Sequence, residues 1–293
     1  SLDDFSKRII NPAMAQLAAV IEGDALSAAY KLVPNYTGTT STDLTYLAFQ
    51  QNGQKLTESL TPAGERFGIL NPRSRAQFTD AVKGLFHDSD SIEEQYKEGI
   101  VGRTGGFTNY ENTLVPSHTM GTLAGSPVTS GAANATVTTA TTWVSQTDVS
   151  VTGATATTTI KAGDVLTFGT LADGLVDCHP ETKVSYGRLK TFVVQSDVTL
   201  TTATNNYTVT VKPGIMVGSG NAYQNAIMTG ADTSGMTVTN WGAASSSVGQ
   251  SLFFHKDAFA FVSADLEDVS KYGAWGARDS MDGISMRIGR QWD

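Results

Sequence analysis

The chain is short of cysteine, histidine and charge. Cys178 is its only cysteine, so no intrachain disulfide is possible, which fits a reducing compartment. Four histidines, His87, His118, His179 and His255, lie scattered without the spacing of metal ligands. Charged residues make up 16% of 293, where globular domains carry about a quarter. No apolar run is long enough to span a membrane, and no signal peptide opens the chain. The net charge is −8, and the nearest thing to a basic cluster is Arg66, Arg73 and Arg75. A protein built to hold DNA or RNA needs a basic face instead. G-x-S-x-G, H-E-x-x-H and dinucleotide fingerprints are all missing.

What takes the place of charge is Thr, Ser and Gly, with a hydrophobic share of 40%. Length and apolar content suffice for a large core. Charge is also unevenly spread. Residues 121–250 hold 5 Lys/Arg and 7 Asp/Glu, while the rest carry 36 of 48 charges. A compositional boundary at each end of that segment suggests an inserted domain.

Before the segment the pattern is helical. Asn11 and Pro12 start or kink a helix whose stripe is Met14, Leu17, Ala18 and Ile21. A second helix is predicted over 42–60, with Leu44, Leu47 and Leu56 inward and Gly53 a weak point. A strand over 66–70 ends at Asn71–Pro72, and the same Asn–Pro device starts a third helix facing inward through Phe78, Val82, Leu85 and Phe86. Ser91 and Glu94 form a capping box for a short fourth helix. The middle alternates in short β-branched runs such as DVSVTG, ATTTIKAGDVLTFG and NYTVTVKPGIMVG, separated by turn clusters. Six or so strands at that spacing predict a barrel or sandwich. After residue 251 the sequence predicts a strand pair around His255–Asp257, a turn-rich stretch and a final strand.

Each chemical motif has a plainer reading. His255, Lys256 and Asp257 interrupt SLFFHKDAFAFV, but neighbours in a strand point to opposite faces and cannot converge on one ligand without a turn. They read as a polar turn, with Phe253 or Phe254 and Phe259, Phe261 as core anchors around it. Asp88, Asp90, Glu93 and Glu94 lack the glycine and bidentate Glu of a calcium loop and suit a helix start. Gly102, Gly105 and Gly106 precede a strand pattern, not a helix, so a tight bend is expected. Cys178 and His179 are adjacent in sequence, whereas catalytic pairs are made by folding. No catalytic, cofactor-binding or metal residue is assigned, and no cofactor is expected. Asn35, Asn134 and Asn206 lie in N-x-T sequons, which matter only in a secreted chain.

An ordered series of segments carries a resemblance. RIINPAMAQLAAVIEGDAL is followed by RFGILNPRSRAQF, then EEQYKEGIVGRTGGFTNYENTLVPSHTMG. KAGDVLTFGTL and HPETKVSYGRLKTFVV come next, and SLFFHKDAFAFVSADLE last. In this order the chain resembles the major capsid (coat) proteins of tailed double-stranded-DNA bacteriophages, in the subgroup with a β-barrel domain inserted into the shell domain. The resemblance implies an α+β Hong Kong 97-type capsid fold: a peripheral domain with a spine helix, an axial domain and an inserted all-β barrel. It implies shell domains at 1–119 and 250–293, with the barrel at 120–249. Residues 11–25 then belong to the spine helix, 42–86 to peripheral-to-axial elements, and 107–115 and 252–266 to neighbouring core strands. The start at Ser1 and the end soon after ISMRIGR lead to the expectation of a fragment without the family's N-terminal arm, extended loop and extreme C-terminus.

The implied function is structural: self-assembly into the icosahedral shell around a phage genome, without catalysis. The implied partners are other copies in pentamers and hexamers, a scaffolding protein and a portal, with no specific nucleic-acid site and no membrane. The implied place is the virion capsid, assembled in the bacterial host cytoplasm or encoded by a prophage. Three alternatives stand beside it. A β-rich adhesin or carbohydrate-binding module predicts aromatic platforms at Trp143, Trp241 and Tyr207. A hydrolase with a β domain needs a convergent catalytic set. An encapsulin-like compartment shares the shell fold but normally lacks the insert.

Overall fold

A computed structural model describes residues 8, 11–39, 44–82, 103–130, 143–218, 222–230, 234–262, 275–281 and 284–290. The chain divides into two units, Ser1–Ala25 with Lys256–Asp293, and Leu26–His255. In the first, a long helix α1 (Asn11–Tyr30) begins, a 3-10 turn covers Lys256–Ala258, and β18 (Trp275–Met281) pairs antiparallel with β19 (Ile284–Arg290). The stretch expected to be turn-rich thus contains a seven-residue strand. Its alternation is masked by Gly276, Arg278 and Asp279, residues that strands usually disfavour or leave to solvent.

The second unit holds a small four-stranded sheet and a barrel. The sheet runs β17 (Leu252–His255), β1 (Arg66–Leu70), β3 (Phe107–Glu111), β2 (Arg103–Thr104). β1 pairs antiparallel with β17 and parallel with β3. Two helices, α2 (Tyr46–Glu58) and α3 (Pro72–Val82), bring Phe49, Phe78 and Val82 into one core cluster with Phe107. Phe49 stacks on Phe78 at 4.2 Å, and Phe253 meets Phe49 and Phe107 edge to face at 5.3 and 5.1 Å. Each such pair adds about 0.5–1.5 kcal/mol beyond its buried area.

Local chemistry sets these elements. Thr45 Oγ1 accepts from Ala48 N and caps α2. Asn71 Oδ1 accepts from Ser74 N, so Asn–Pro starts α3 as expected. Arg66 is buried, and its guanidinium donates to Pro62 O, Thr61 O, Gly53 O and Thr57 Oγ1, closing the end of α2. Gly105 and Gly106 form the two-residue β2–β3 turn, both at positive φ (+60° and +85°).

The barrel is built from β5 (Gly125–Thr129), β6 (Thr147–Ala154), β8 (Val165–Phe168), β11 (Phe192–Val194), β13 (Tyr207–Lys212) and β15 (Val238–Asn240), in the order β15-β8-β11-β13-β6-β5. Every pairing is antiparallel. The ends nearly close: Val128 bridges Thr237, and Thr129 N donates to Met236 O. Alternate residues fill the interior, among them Val149 and Val151, Leu166 and Phe168, Phe192 and Val194, Val209 and Val211. A second small sheet, β10 (Ser185–Leu189), β9 (Leu175–Cys178) and β14 (Ala226–Met228), and the pair β7 (Thr158–Ile160) with β12 (Val198–Leu200) complete it. The alternating runs of the sequence lie on these strands.

Several expectations need correction. Leu47 is 68% exposed; Ala48 and Phe49 are the buried residues of α2, and Leu44 and Leu56 do pack on its core. The cap at Thr45 fixes the helix phase so that Phe49, not Leu47, faces the sheet. Phe259 and Phe261 are exposed, because the chain turns into the 3-10 helix directly after His255 and leaves the sheet. Strands β3 and β17 are not neighbours, since β1 lies between them. Leu85, Phe86, the Ser91–Glu94 capping box, the acidic run 88–94 and most of the Thr-rich run before Trp143 lie outside the described residues.

Candidate functional site

The chain passes from the four-stranded sheet to the barrel and back at one place. β4 (Ser117–Thr119) and β16 (Ser247–Gly249) pair antiparallel, with His118 opposite Val248. Backbone bonds extend the ribbon: Met120 N to Ser246 O, and Gln250 N to Pro116 O. Asn71 Nδ2 also donates to Gln250 O and ties the ribbon to the start of α3.

A buried polar node sits beside the ribbon. His118 Nε2 lies 2.8 Å from Asp164 Oδ1, and Tyr30 OH 3.2 Å from His118 Nδ1. Asp164 is fully buried and also accepts from Gly121 N and Lys161 N. A carboxylate only accepts, so Nε2 carries the proton, and in the neutral ring Nδ1 accepts from Tyr30. Burial first, then the charges of Asp164 and Asp197, push the Tyr30 hydroxyl above its ordinary pKa. Gly163, at φ +98°, leaves room for both rings: a Cβ there stands 2.9 Å from Tyr30 and 3.1 Å from His118. The order Tyr–His–Asp has the look of a relay. However, the hydroxyl on the ring is that of a tyrosine on α1, and both oxygens of the Asp164 carboxylate are held by backbone amides, Gly121 N shared between them and Lys161 N on Oδ2. The node joins three elements: the end of α1, β4, and the turn before β8.

A second contact joins α2 to the barrel. Arg188 pairs with Glu58 at 2.5 Å and donates from Nε and Nη2 to Asp177 Oδ2, while Lys190 Nζ donates to Asp177 Oδ1. Tyr186 OH donates to Glu58 O, and its ring lies under the Arg188 guanidinium. Burial raises the Asp177 pKa, but Lys190 and then Arg188 outweigh it, and the carboxyl sits below its ordinary value. A third contact is aromatic: Tyr36 stacks on Trp241 at 4.3 Å. Gln195 Nε2 donates to Lys31 O, five residues before Tyr36 in the chain.

The residues singled out in the sequence are scattered. His255 ends β17 opposite Arg66. Cys178 is buried on β9, where burial pushes its thiol up, and His179 Nδ1 accepts from Glu181 N and Thr182 N in the following turn. Of the suggested aromatic platforms, Trp143 is exposed, Trp241 is stacked on Tyr36, and Tyr207 OH bonds the Thr201–Thr202 backbone. Among the described residues no group of three His, Cys, Asp or Glu gathers as a metal site. Sequence reading missed the node: His118 and Asp164 are 46 residues apart, and only folding brings them together.

The family model described as P22 coat protein, gene protein 5, matches residues 3–293. A solved structure, the CUS-3 coat protein I-domain, is 20% identical, with a TM-score of 0.23, covering 41% of this chain and 95% of its own. No curated protein matches.

Proposed function

Because the chain belongs to the P22 coat protein family and is a structural protein of the phage capsid, we propose how its parts serve a self-assembling shell. The match over residues 3–293 carries this reading. The fold is of the Hong Kong 97 type, with α1 in the spine and the four-stranded sheet in the axial domain. Residues 1–119 and 250–293 form the shell part, and 120–249 the inserted barrel. The strand composition supports that division: the four-stranded sheet draws on 66–111 and 252–255, the barrel on 125–240. The protein works by surface and not by catalysis. Its copies tile as pentamers and hexamers, with a scaffolding protein and a portal, in the host cytoplasm. An acidic shell has little affinity for the phosphates it encloses.

The test is direct. The chain co-expressed with its scaffolding protein is expected to give large closed particles in electron micrographs. A monomer under every condition overturns the reading. Replacing 121–249 by a short linker is expected to abolish particles; normal assembly without it refutes a supporting role for the barrel.

A further inference from the structure

Two polar contacts that hold the barrel to the rest of its unit differ in their exposure to solvent. The one beside β4 is dry. The His118 side chain is 5% exposed and that of Asp164 not at all, and the backbone bonds of the β4–β16 ribbon run alongside. Dissolved ions screen such a contact little. The one at the end of α2 is wet. The Arg188 side chain is 29% exposed and that of Glu58 21%. Glu58 Oε2 pairs with Arg188 Nη1 but accepts no aligned hydrogen bond. Exposed pairs of this kind are weak and are screened by salt.

The wet contact also carries an opposing force. Lys55 lies one turn before Glu58 on α2, and the charges within its reach are Arg188, Asp177, Glu58 and Lys190. Burial first, then Arg188, hold its amine below the ordinary value. On the barrel side, Asp177 accepts from both Arg188 and Lys190 and offsets one of these two cations. That side keeps one positive charge, which Glu58 attracts and Lys55 repels. Loss of the Glu58 charge turns the balance from attraction to repulsion, and the neutral bond from Tyr186 OH to Glu58 O is then left to hold the two together.

We propose that the barrel is carried on a fixed pivot and a releasable latch: the His118–Asp164 node and the β4–β16 ribbon stay closed while the Glu58–Arg188 contact opens, so that the barrel tilts on the four-stranded sheet. The use of this joint rests on the capsid reading. Pentamers and hexamers place one chain in unlike surroundings, and a joint that gives on one side lets the barrel fit both.

Hydrogen exchange of the unassembled full-length chain, in about 0.05 M and about 1 M sodium chloride, tests the joint. Ser59, Leu60 and Thr61 N, bonded to Lys55 O, Thr57 O and Leu56 O, report the latch. Gly121 and Lys161 N, bonded to the Asp164 carboxylate, report the pivot. High salt is expected to speed exchange at 59–61 at least about threefold and to leave the pivot amides unchanged. Glu58→Gln is expected to do the same at low salt, and Lys55→Gln added to it to slow exchange again. An effect confined to α2 has the opposite sign: a carboxylate at a helix C-terminus opposes the dipole, so its removal or screening steadies the last turn. Unchanged or slower exchange at 59–61, equal acceleration at the pivot, or exchange that stays fast in the double variant overturns the proposal. Should Glu58→Gln fail to fold, the salt comparison on the unaltered chain decides. In particles seen by electron microscopy, the amides of 59–61 are expected to exchange as two populations; a single population overturns the use of the joint in the shell. Absence of particles removes the capsid reading and that use with it, while exchange in the unassembled chain still decides the joint.

Discussion

Phe253 and Phe107 meet edge to face at 5.1 Å across β1, a strand to which neither belongs. Gly68 makes this possible. It lies opposite Phe253 on one side and Asn109 on the other. A Cβ at Gly68 stands 2.8 Å from the Phe253 ring and 2.6 Å from Asn109 Oδ1. The missing side chain is the space the ring occupies.

Gly68→Ala is therefore expected to lower stability by about 1–3 kcal/mol through overpacking. Urea denaturation of the full chain reads it. An unchanged midpoint shows that the ring has room to move aside.

The Asp177 cluster gives a pH dependence of definite sign. The folded carboxyl sits below its ordinary value, so the stabilisation is present above the unfolded pKa. It is lost as pH falls through the depressed folded value. Asp177→Asn is expected to flatten this acid limb. At neutral pH it costs on the order of 2 kcal/mol, less than a fully buried pair because Arg188 is still 29% exposed. An acid limb as steep as before removes Asp177 as its cause.

At the buried node, Asp164→Ala strips acceptors from His118, Gly121 N and Lys161 N together. The expected loss is at least about 3 kcal/mol. Asp164→Asn keeps one acceptor oxygen and is expected to lose less. Equal midpoints for the two variants contradict the assigned bonding.

Tyr207 supplies a spectroscopic marker. Its hydroxyl is bonded by the side chains and backbone amides of Thr201 and Thr202, which favour the phenolate and lower its pKa to about 8. Ultraviolet titration is expected to show one tyrosine ionising near there, ahead of ordinary ones at about 10, and Tyr207→Phe is expected to remove it. Ionisation favours the fold, so the added stability grows as pH rises from the folded toward the unfolded value and is absent below it. A first transition that survives Tyr207→Phe refutes the assignment.

How far the sequence reveals this fold depends on the range of the interactions. Asn71–Pro72 predicts both a strand end and a helix start, because capping is local. The barrel strands are legible for the same reason: Val149 and Val151 alternate within a few residues. The phase of α2 is harder. Leu44, Leu47 and Leu56 all suit an inward face, and the Thr45 cap and the approach of Phe107 decide for Phe49. Arg66 looks like a surface charge in sequence and is buried by carbonyls at the end of α2. The node is invisible in sequence, since its partners are set by distant pairings. Order along the chain gave the family where no single residue did.

The β4–β16 ribbon has a consequence for how the molecule comes into being. Strand β17, which completes the four-stranded sheet, is synthesised only after the whole barrel. In an unfolded chain its docking on β1 closes a loop of 181 residues, 71–251. Once the ribbon has formed, the open part shrinks to 71–119 and 247–251, which are 54 residues. The entropy of closure falls by about 1 kcal/mol. A chain whose barrel is folded thus delivers Phe253 to Phe107 more readily than one whose barrel is not, and completion of the sheet reports on the barrel's success.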